Sequence, residues 1–556
     1  MSARRGKRNA EAEARAKAKA ARARSRSEAE AEAAAAAIAA ALPVEPEWGL
    51  AALYALVAIS VGMLGVRFYA AARVGFGDSE ALYACWAAHP QPAFLDHPGL
   101  VGLVSRLIGE GSSPTPLRTH AVTSLLATLV PWLMFVAARA LGAARGRAAL
   151  AGLIVAIIPE TAVGLFALTP DLLLAFAWLG VLALAGLAMR ATASGTRSAA
   201  AFLGAGLLAG TASASKISGL LLIVALVATY ASVAFSSIDA RARTAVRTIW
   251  PWAGLAAGLV VLAPIALYEA KLGWPMLHHR LVSTQGGAGL ALRNVGALVG
   301  GQLGYLSPVF AVLAVLAAID LVRERSRDAV SRLLFLSFAV PIVPLVVLCL
   351  WSPVAEPHWV APALLALPLH VARRTGEELG KLGSRRLFLV GAGVAATLTV
   401  AAHAWVLVPE SSRLLPASTD PKLDISNELY GWPMALTAVK EHMATAGTPF
   451  DPEGREVVVV GPHWTICAQL QAGLPGVRVG CATPTPDDFD GWLPRAQWRA
   501  AETVLFVTDN RFPGDGAEQL PGHVKGAQSR VRVLRGGRSA RVFELSLYER
   551  RAQGSL

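Results

Sequence analysis

The feature that most constrains this chain is the length of its apolar runs. Blocks of about 17 to 25 residues, the length a helix needs to cross the hydrocarbon core of a bilayer, recur from residue 49 to residue 408. Composition agrees, with 54% hydrophobic residues, 16% charged and a mean hydropathy of +0.49, whereas soluble chains carry about a quarter charged residues. A disordered chain, a coiled coil and an ordinary cytosolic enzyme are excluded. The apolar blocks predict membrane helices over 49–69, 120–138, 148–167, 170–189, 199–214, 217–235, 249–269, 297–320, 333–351, 358–372 and 387–408.

Charge orients these blocks. With the N-terminus inside, the inner loops carry 17 Lys/Arg and the outer loops, longer in total, carry 7, which is the positive-inside pattern. The net charge of +13 is therefore no sign of nucleic acid, since residues 1–26 alone hold ten Lys/Arg against Glu11 and Glu13. Residues 1–46 read as a basic, Ala-rich cytoplasmic tail, either a solubilising disordered arm or a contact to anionic lipid. Within it, the Glu/Ala-rich stretch 28–42 reads as a helix. No short apolar region with a small-residue cleavage site follows the charged start, so it is not a cleavable signal peptide.

Three units follow: the tail 1–46, a membrane domain 47–408 and an outer domain 409–556. In the last, Val457–Val460, Val504–Val507 and Val542–Leu547 read as strands and 464–473 as a helix ending at Gly473, which predicts a small α/β domain. It has no GxGxxG or GxxxxGK[ST] motif. An extracytoplasmic location permits disulfides, and the segment between Cys467 and Cys481 holds Gly473, Pro475, Gly476 and Gly480, so it can turn back and pair them. The alternative is two reduced, buried thiols.

The polar motifs fall in the loops assigned to the outer side. Asp78 and Glu80, in Gly77-Asp78-Ser79-Glu80-Ala81-Leu82-Tyr83, share a face if the segment is extended and both approach a helix N-terminus if it starts a helix. Such carboxylates suit a general base or a divalent cation held with a phosphate; an N-cap of a helix running through Trp86 is the structural alternative. Phe94-Leu95-Asp96-His97-Pro98-Gly99 offers an acid beside a His at a turn. Thr169-Pro170-Asp171 puts an acid at a helix start, where Pro is ordinary. Lys216 lies between apolar blocks, costly unless paired or functional. Lys271 to Arg280 holds Trp274 and the His278-His279 pair, whose spacing does not suit a helical zinc site, and Arg280 fits a phosphate clamp. Glu356-Pro357-His358-Trp359 sits at headgroup depth.

In order along residues 50–410, these segments resemble a known family. Gly77–Tyr83 looks like the acidic first-loop motif of bacterial GT-C membrane glycosyltransferases of the protein O-mannosyltransferase and aminoarabinose transferase-like group (glycosyltransferase family 39-like). Phe94–Pro98 is similar to its aromatic-Asp-His-Pro-Pro segment, and Thr169-Pro170-Asp171, Ser215-Lys216, Gly301–Pro308 and Glu356–Trp359 match its later landmarks. Two positions depart: Ser79 separates an acidic pair that relatives keep adjacent, so either Asp78 or Ser79 aligns with the family's Asp, and Gly99 replaces a second Pro. The C-terminal domain resembles a less characterised extension, and no activity is carried onto it.

The resemblance implies an all-α polytopic membrane domain of GT-C type with about 11 transmembrane helices, followed by the extracytoplasmic small α/β domain. It implies transfer of a sugar from a polyprenyl-phosphate donor to an extracytoplasmic acceptor (protein, lipid or glycan) with inversion, at a bacterial inner membrane. Asp78, Glu80 and Asp96 become the candidate catalytic carboxylates. Lys216 and Arg280 are candidates for the donor phosphate, and His97, Asp171, Glu356 and His358 for substrate. No cofactor is required, and the role of a divalent cation stays open. A transporter or flippase of a lipid-linked sugar would share the polar pocket, but would show internal repeats, which are not evident. A non-catalytic assembly protein is at odds with the intact acids.

Overall fold

The computed structural model describes residues 48–191, 195–445 and 457–551; the tail 1–46 and the helix expected over 28–42 lie outside the described residues. Among these residues, eight helices are long and apolar enough to cross a membrane: Gly49–Ala71, Pro116–Ala140, Pro170–Arg190, Thr196–Ser215, Ile217–Ala234, Trp250–Leu272, Ala329–Trp351 and Arg385–Leu407. Two bent pairs, Arg145–Ile157 with Pro159–Phe166 (69°) and Leu292–Leu306 with Pro308–Arg323 (103°), bring the number up to ten if each pair is one span. An inside N-terminus and an outside C-terminal domain need an odd number, which the broken stretch 357–372 supplies as an eleventh. The chain is a multi-pass membrane protein.

Helix starts follow local chemistry. The side chains of Thr115, Asp328 and Ser384 accept from backbone N–H groups of the turns they open, which otherwise lack partners. The two bends fall where Pro159 and Pro308 start a new helix, because proline lacks an N–H and clashes with a preceding helical turn. Backbone groups freed in lipid need protein partners. At the first bend the buried Arg67 supplies them, donating to the carbonyls of Thr161 (3.0 Å) and Ala162 (3.1 Å) and to Thr128 Oγ1 (3.0 Å). The block read as one helix over 358–372 is three pieces, Pro357–Val360, Ala361–Leu364 and Ala366–Ala372. Pro357, Pro362 and Pro368 interrupt it.

Close helix packing rests on small residues. A Cβ on Gly206 or Gly210 would run into the carbonyls of Gly254 and Gly258, so Thr196–Ser215 and Trp250–Leu272 meet backbone to backbone, as small-residue stripes allow in membranes.

The first loop carries two helices, Asp78–Trp86 and Leu100–Ile108. Between them, Gly99 N–H donates to the Pro92 carbonyl at 2.8 Å, a bond that proline at this position could not make.

The C-terminal layer is a five-stranded sheet in the order β2-β1-β3-β5-β4. Its strands are β1 Val457–Gly461, β2 Arg478–Cys481, β3 Thr503–Asp509, β4 His523–Arg535 and β5 Arg538–Arg550. β1 pairs in parallel with β2 and β3, whereas β5 runs antiparallel to β3 and β4. The three expected strands and the helix Trp464–Gly473 are present. β2 and β4 escaped the sequence reading, β2 through its shortness and β4 because it is an edge strand with Lys525, Arg530 and Arg532 along it, the charged pattern that protects edges. Cys467 and Cys481 form a disulfide with Cα atoms 5.9 Å apart, within the usual range.

This layer is docked on the membrane part. Helix Trp464–Gly473 lies on Asp78–Trp86, and Ile466 and Leu470 share one core with Ala81, Leu82 and Trp86. Gln469 Nε2 donates to the Phe76 carbonyl (2.8 Å) and Cys85 Sγ to the Ala468 carbonyl (3.2 Å).

Candidate active site

Pro170 opens its helix at the first turn with Asp171 beside it, where the helix dipole favours a carboxylate. At the far end of the neighbouring helix, Lys216 follows Ser215, whose hydroxyl donates to the Pro170 carbonyl at 2.6 Å. That contact brings the two helix ends together. Lys216 Nζ then reaches both oxygens of Asp171, at 2.8 and 2.9 Å. His358 stands on the other side, with Nε2 3.7 Å from Asp171 Oδ2 and Nδ1 3.1 Å from Glu356 Oε2. Four residues from three separate motifs thus make one ionic cluster.

A second group comes from the two long loops. Arg280 Nε donates to the Asp96 carbonyl (2.9 Å) and its NH2 lies 3.2 Å from Asp96 Oδ1 and 3.4 Å from His97 Nε2. His279 Nε2 is 3.6 Å from the same Asp96 oxygen. Burial by itself raises the Asp96 carboxyl, but His279 and Arg280 outweigh it and hold it at about 2. Burial, then Arg280 and Lys216, push His97 down to about 3. At neutral pH Asp96 is therefore charged and His97 neutral. The buried Tyr83 joins the two groups: burial and then the fields of Asp96 and Asp171 push its hydroxyl upward, with Arg280 and Glu356 also felt there.

The first-loop acids behave differently from one another. Both sit in the first turn of helix Asp78–Trp86, and its N-cap is Gly77, which has no side chain to cap with. Two residues apart on a helix, they point in different directions. Asp78 turns to the C-terminal layer, where Arg511 grips it through NH1 (2.8 Å to Oδ2) and NH2 (3.3 Å to Oδ1). Glu80 turns into the bundle. It is 3% exposed; its Oε2 lies 2.8 Å from His120 Nε2 and its Oε1 accepts from Leu168 N–H at 2.8 Å. The shared face that an extended segment would have given is absent.

Behind Asp78 the charges continue. Arg511 Nε is 3.3 Å from Asp509 Oδ2, and the same oxygen accepts from Arg541 NH2 at 2.5 Å. Among the described residues, no group of three or more His, Cys, Asp or Glu is arranged to hold a metal ion.

A cavity of about 830 Å³ runs from this end of the bundle toward the other. Thr169, Asp171, Tyr305, His358 and Glu160 line its polar end; Leu153, Phe310, Leu364 and Phe388 are among the apolar side chains along it, and Ser384 and Arg385 lie at its far end. Sequence reasoning missed Glu160, which sits inside an apolar block, and gave no role to Tyr305, although the Gly301–Pro308 landmark contains it. It also missed Arg511, remote in sequence from every motif. A signal for Glu160 existed, since a carboxylate within an apolar block is a functional pointer.

No protein-family model matches this chain, and no curated protein does. Solved structures match at the level of fold. ArnT from Cupriavidus metallidurans in the apo state has a TM-score of 0.57 and 15% identity, over 88% of this chain and 97% of that one. The same protein bound to undecaprenyl phosphate has a TM-score of 0.55 and 16% identity, over 90% and 98%. The chain has the GT-C fold, a helical membrane domain with a small C-terminal mixed sheet.

Proposed function

We propose that this protein is a membrane glycosyltransferase that moves a sugar from a polyprenyl-phosphate donor to an acceptor outside the cytoplasm, with inversion at the anomeric carbon. The observation that carries this reading is the long apolar cavity ending at the Asp171–Lys216–His358 cluster. Its volume is that of a ligand pocket. An isoprenoid chain needs a greasy groove within the membrane, and its phosphate needs cations at the mouth. Likeness to a fold solved with undecaprenyl phosphate supports the same assignment.

In this reading the residues divide the work as follows. Lys216 and Arg280 neutralise the phosphate as it takes up charge on leaving, with Asp171 and Asp96 aiming them. Asp171 and His358, with Glu356 and the neutral His97, contact the sugar. The ionised Asp96 places negative charge where the anomeric carbon turns positive. Glu80, both of its oxygens engaged, sets the helix that carries Asp78. The acceptor hydroxyl passes its proton to the first-loop carboxylate Asp78 as its oxygen bonds to that carbon. The bond from that carbon to the phosphate oxygen breaks, its electron pair leaving with the polyprenyl phosphate.

The end of the bundle that holds the cluster and the C-terminal layer is assigned to the extracytoplasmic side of a bacterial inner membrane, on the asymmetry of loop charge. Reporter fusions after Arg147 and after Pro409 should then give opposite signals; the same signal from both would break that assignment. The activity test is reconstitution of the full chain in lipid with polyprenyl-phosphate sugars, alongside mass spectrometry of envelope glycans and proteins from cells lacking the gene. Transfer in the first and a missing glycan in the second are expected. The absence of both donor turnover and any glycan change would sink the reading.

A further inference from the structure

We propose that Glu160, at the polar end of the long cavity, is a specificity-determining residue that holds a hydroxyl group of the donor sugar. The inference rests on the glycosyl-transfer reading and adds a sugar contact that none of the sequence motifs contains.

Local structure fixes where Glu160 stands. Helix Arg145–Ile157 stops before Pro159, which starts the short helix Pro159–Ala162 with Glu160 in its first turn. The Thr161 hydroxyl donates back to the Val155 and Ile158 carbonyls. Arg67 donates to the carbonyls of Thr161 and Ala162. The buried cation of this bend is thus engaged with backbone, and the segment that carries Glu160 is held on both sides of the residue.

Among the described residues, two carboxylates line the cavity, Asp171 and Glu160. Asp171 has both oxygens on Lys216 Nζ, at 2.8 and 2.9 Å. Glu160 differs: its Oε1 is buried and, among the described residues, has no hydrogen-bond partner. A buried carboxyl oxygen without a partner is costly, and an ionisable side chain inside a membrane domain points to function. The donor has three parts, and their chemistry decides which one Glu160 meets. An isoprenoid chain offers no hydrogen bond. A phosphate offers acceptors and negative charge, which a carboxylate repels. A sugar ring carries hydroxyls that both donate and accept, so they fit the carboxyl with or without its proton.

The place suits a sugar. Thr169, Asp171, Tyr305 and His358 line the same end of the cavity as Glu160, and the charges of His358 and Asp171 are felt at its carboxyl. His358 Nε2 is 3.7 Å from Asp171 Oδ2, and Asp171 in turn holds Lys216. The wall that bears Glu160 is therefore continuous with the cluster assigned to the phosphate. In a polyprenyl-phosphate sugar the ring is joined to the phosphate through a single oxygen. With the phosphate at Lys216, the ring falls at the edge of that cluster, where Glu160 Oε1 is open to a hydroxyl. A site built to bond a substrate hydroxyl rejects an analogue that lacks it, because its own polar group is then left unpaired.

The test uses the full chain in lipid vesicles, a polyprenyl-phosphate sugar that the wild type turns over, and donors that each lack one ring hydroxyl. Glu160→Leu removes the carboxyl and keeps an apolar side chain of similar bulk. Its kcat/KM for the parent donor should fall about tenfold to a hundredfold, the worth of one hydrogen bond to a charged group. Acceptor KM and inhibition by polyprenyl phosphate without a sugar should not change. For one of the deoxy donors the wild type should lose a similar factor, and Glu160→Leu should add little to it, since both changes remove the same contact. Glu160→Gln, which can still bond a hydroxyl, should keep part of the rate. Because the carboxyl oxygen is unpaired in the empty protein, the thermal midpoint of Glu160→Leu without donor should equal or exceed that of the wild type. Should the Leu variant fail to fold, Glu160→Ala is read against the same donors. Equal losses on the parent and every deoxy donor, or a loss that follows the acceptor or the sugar-free lipid, would overturn the sugar contact while leaving glycosyl transfer standing. A wild type inert with every donor would overturn the transfer reading and the contact with it.

Discussion

Replacing Asp509 by Asn tests whether the C-terminal sheet is held together, and held to Asp78, by a buried charge chain. Asp509 and Arg541 are both fully buried. Asp509 Oδ2 accepts from Arg541 at 2.5 and 3.2 Å and from Arg511 Nε at 3.3 Å, while Oδ1 accepts the N–H groups of Arg511 and Phe512, each at 2.9 Å. The amide keeps the shape and one acceptor but turns an NH₂ toward two guanidiniums, leaving Arg541 charged and unpaired. Breaking a buried pair from one side costs about 3–5 kcal/mol, which for a unit of this size lowers the midpoint by about 10 °C. The assay is thermal unfolding of the full chain in lipid, followed by pulse proteolysis and counting of peptides from 457–551. Asp509→Asn with Arg541→Met should recover most of the loss, because the unpaired charge is gone. The pH dependence has a definite sign. Burial alone would raise the Asp509 carboxyl, but Arg541 and then Arg511 hold it below its ordinary value. Its contribution is thus complete above about 3.9 and is lost as pH falls through the lower folded value, so the variant's stability should be flatter in acid. A loss under about 1 kcal/mol, in the range of an exposed pair, would refute the reasoning.

Lys216→Ala and Arg280→Ala should each raise the donor KM by about tenfold to a hundredfold, the worth of one charge-assisted contact, with acceptor KM little changed; equal effects on both substrates would place the phosphate elsewhere. Cys467→Ser should cost about 3 kcal/mol for a loop of this length, and non-reducing peptide mapping of the wild type should recover the linked pair. Asp488 accepts from the Trp86 indole and from Leu95 N–H, both at 3.2 Å, and burial raises it to about 7. A carboxyl raised on folding contributes stability below about 3.9 that is lost as pH rises through about 7. Hydrogen exchange across helix Asp78–Trp86 should accordingly quicken over that window in the wild type and not in Asp488→Asn.

What the sequence determined by itself is whatever depends on short-range physics. Apolar runs matched to the bilayer, Pro170 at a helix start and the strand-like Val457–Val460 run each act within one element, and each was legible. So was the convergence of Asp171, Lys216 and Glu356-Pro357-His358 on one end of the bundle, because alternating spans put the loops of one parity together. The glycine-rich turn between Cys467 and Cys481 was legible for the same reason, being closed over a short segment.

Only the tertiary structure decided the rest. Prolines mark Pro159 and Pro308 as weak points, but the bends of 69° and 103° exist because Arg67 and neighbouring helices satisfy the freed backbone. The same holds for the broken stretch 357–372, apolar enough to read as one span. Asp78 and Glu80 look like a pair in sequence; helical geometry separates them, and their partners, Arg511 and His120, are chosen by packing. Arg511 lies 433 residues from Asp78. No spacing rule encodes such contacts, since they arise when a whole α/β layer docks on a loop helix through a shared apolar core. The membrane span pattern is a property of each run and the solvent around it, whereas the packed contact between the C-terminal layer and the first loop belongs to the assembled fold alone.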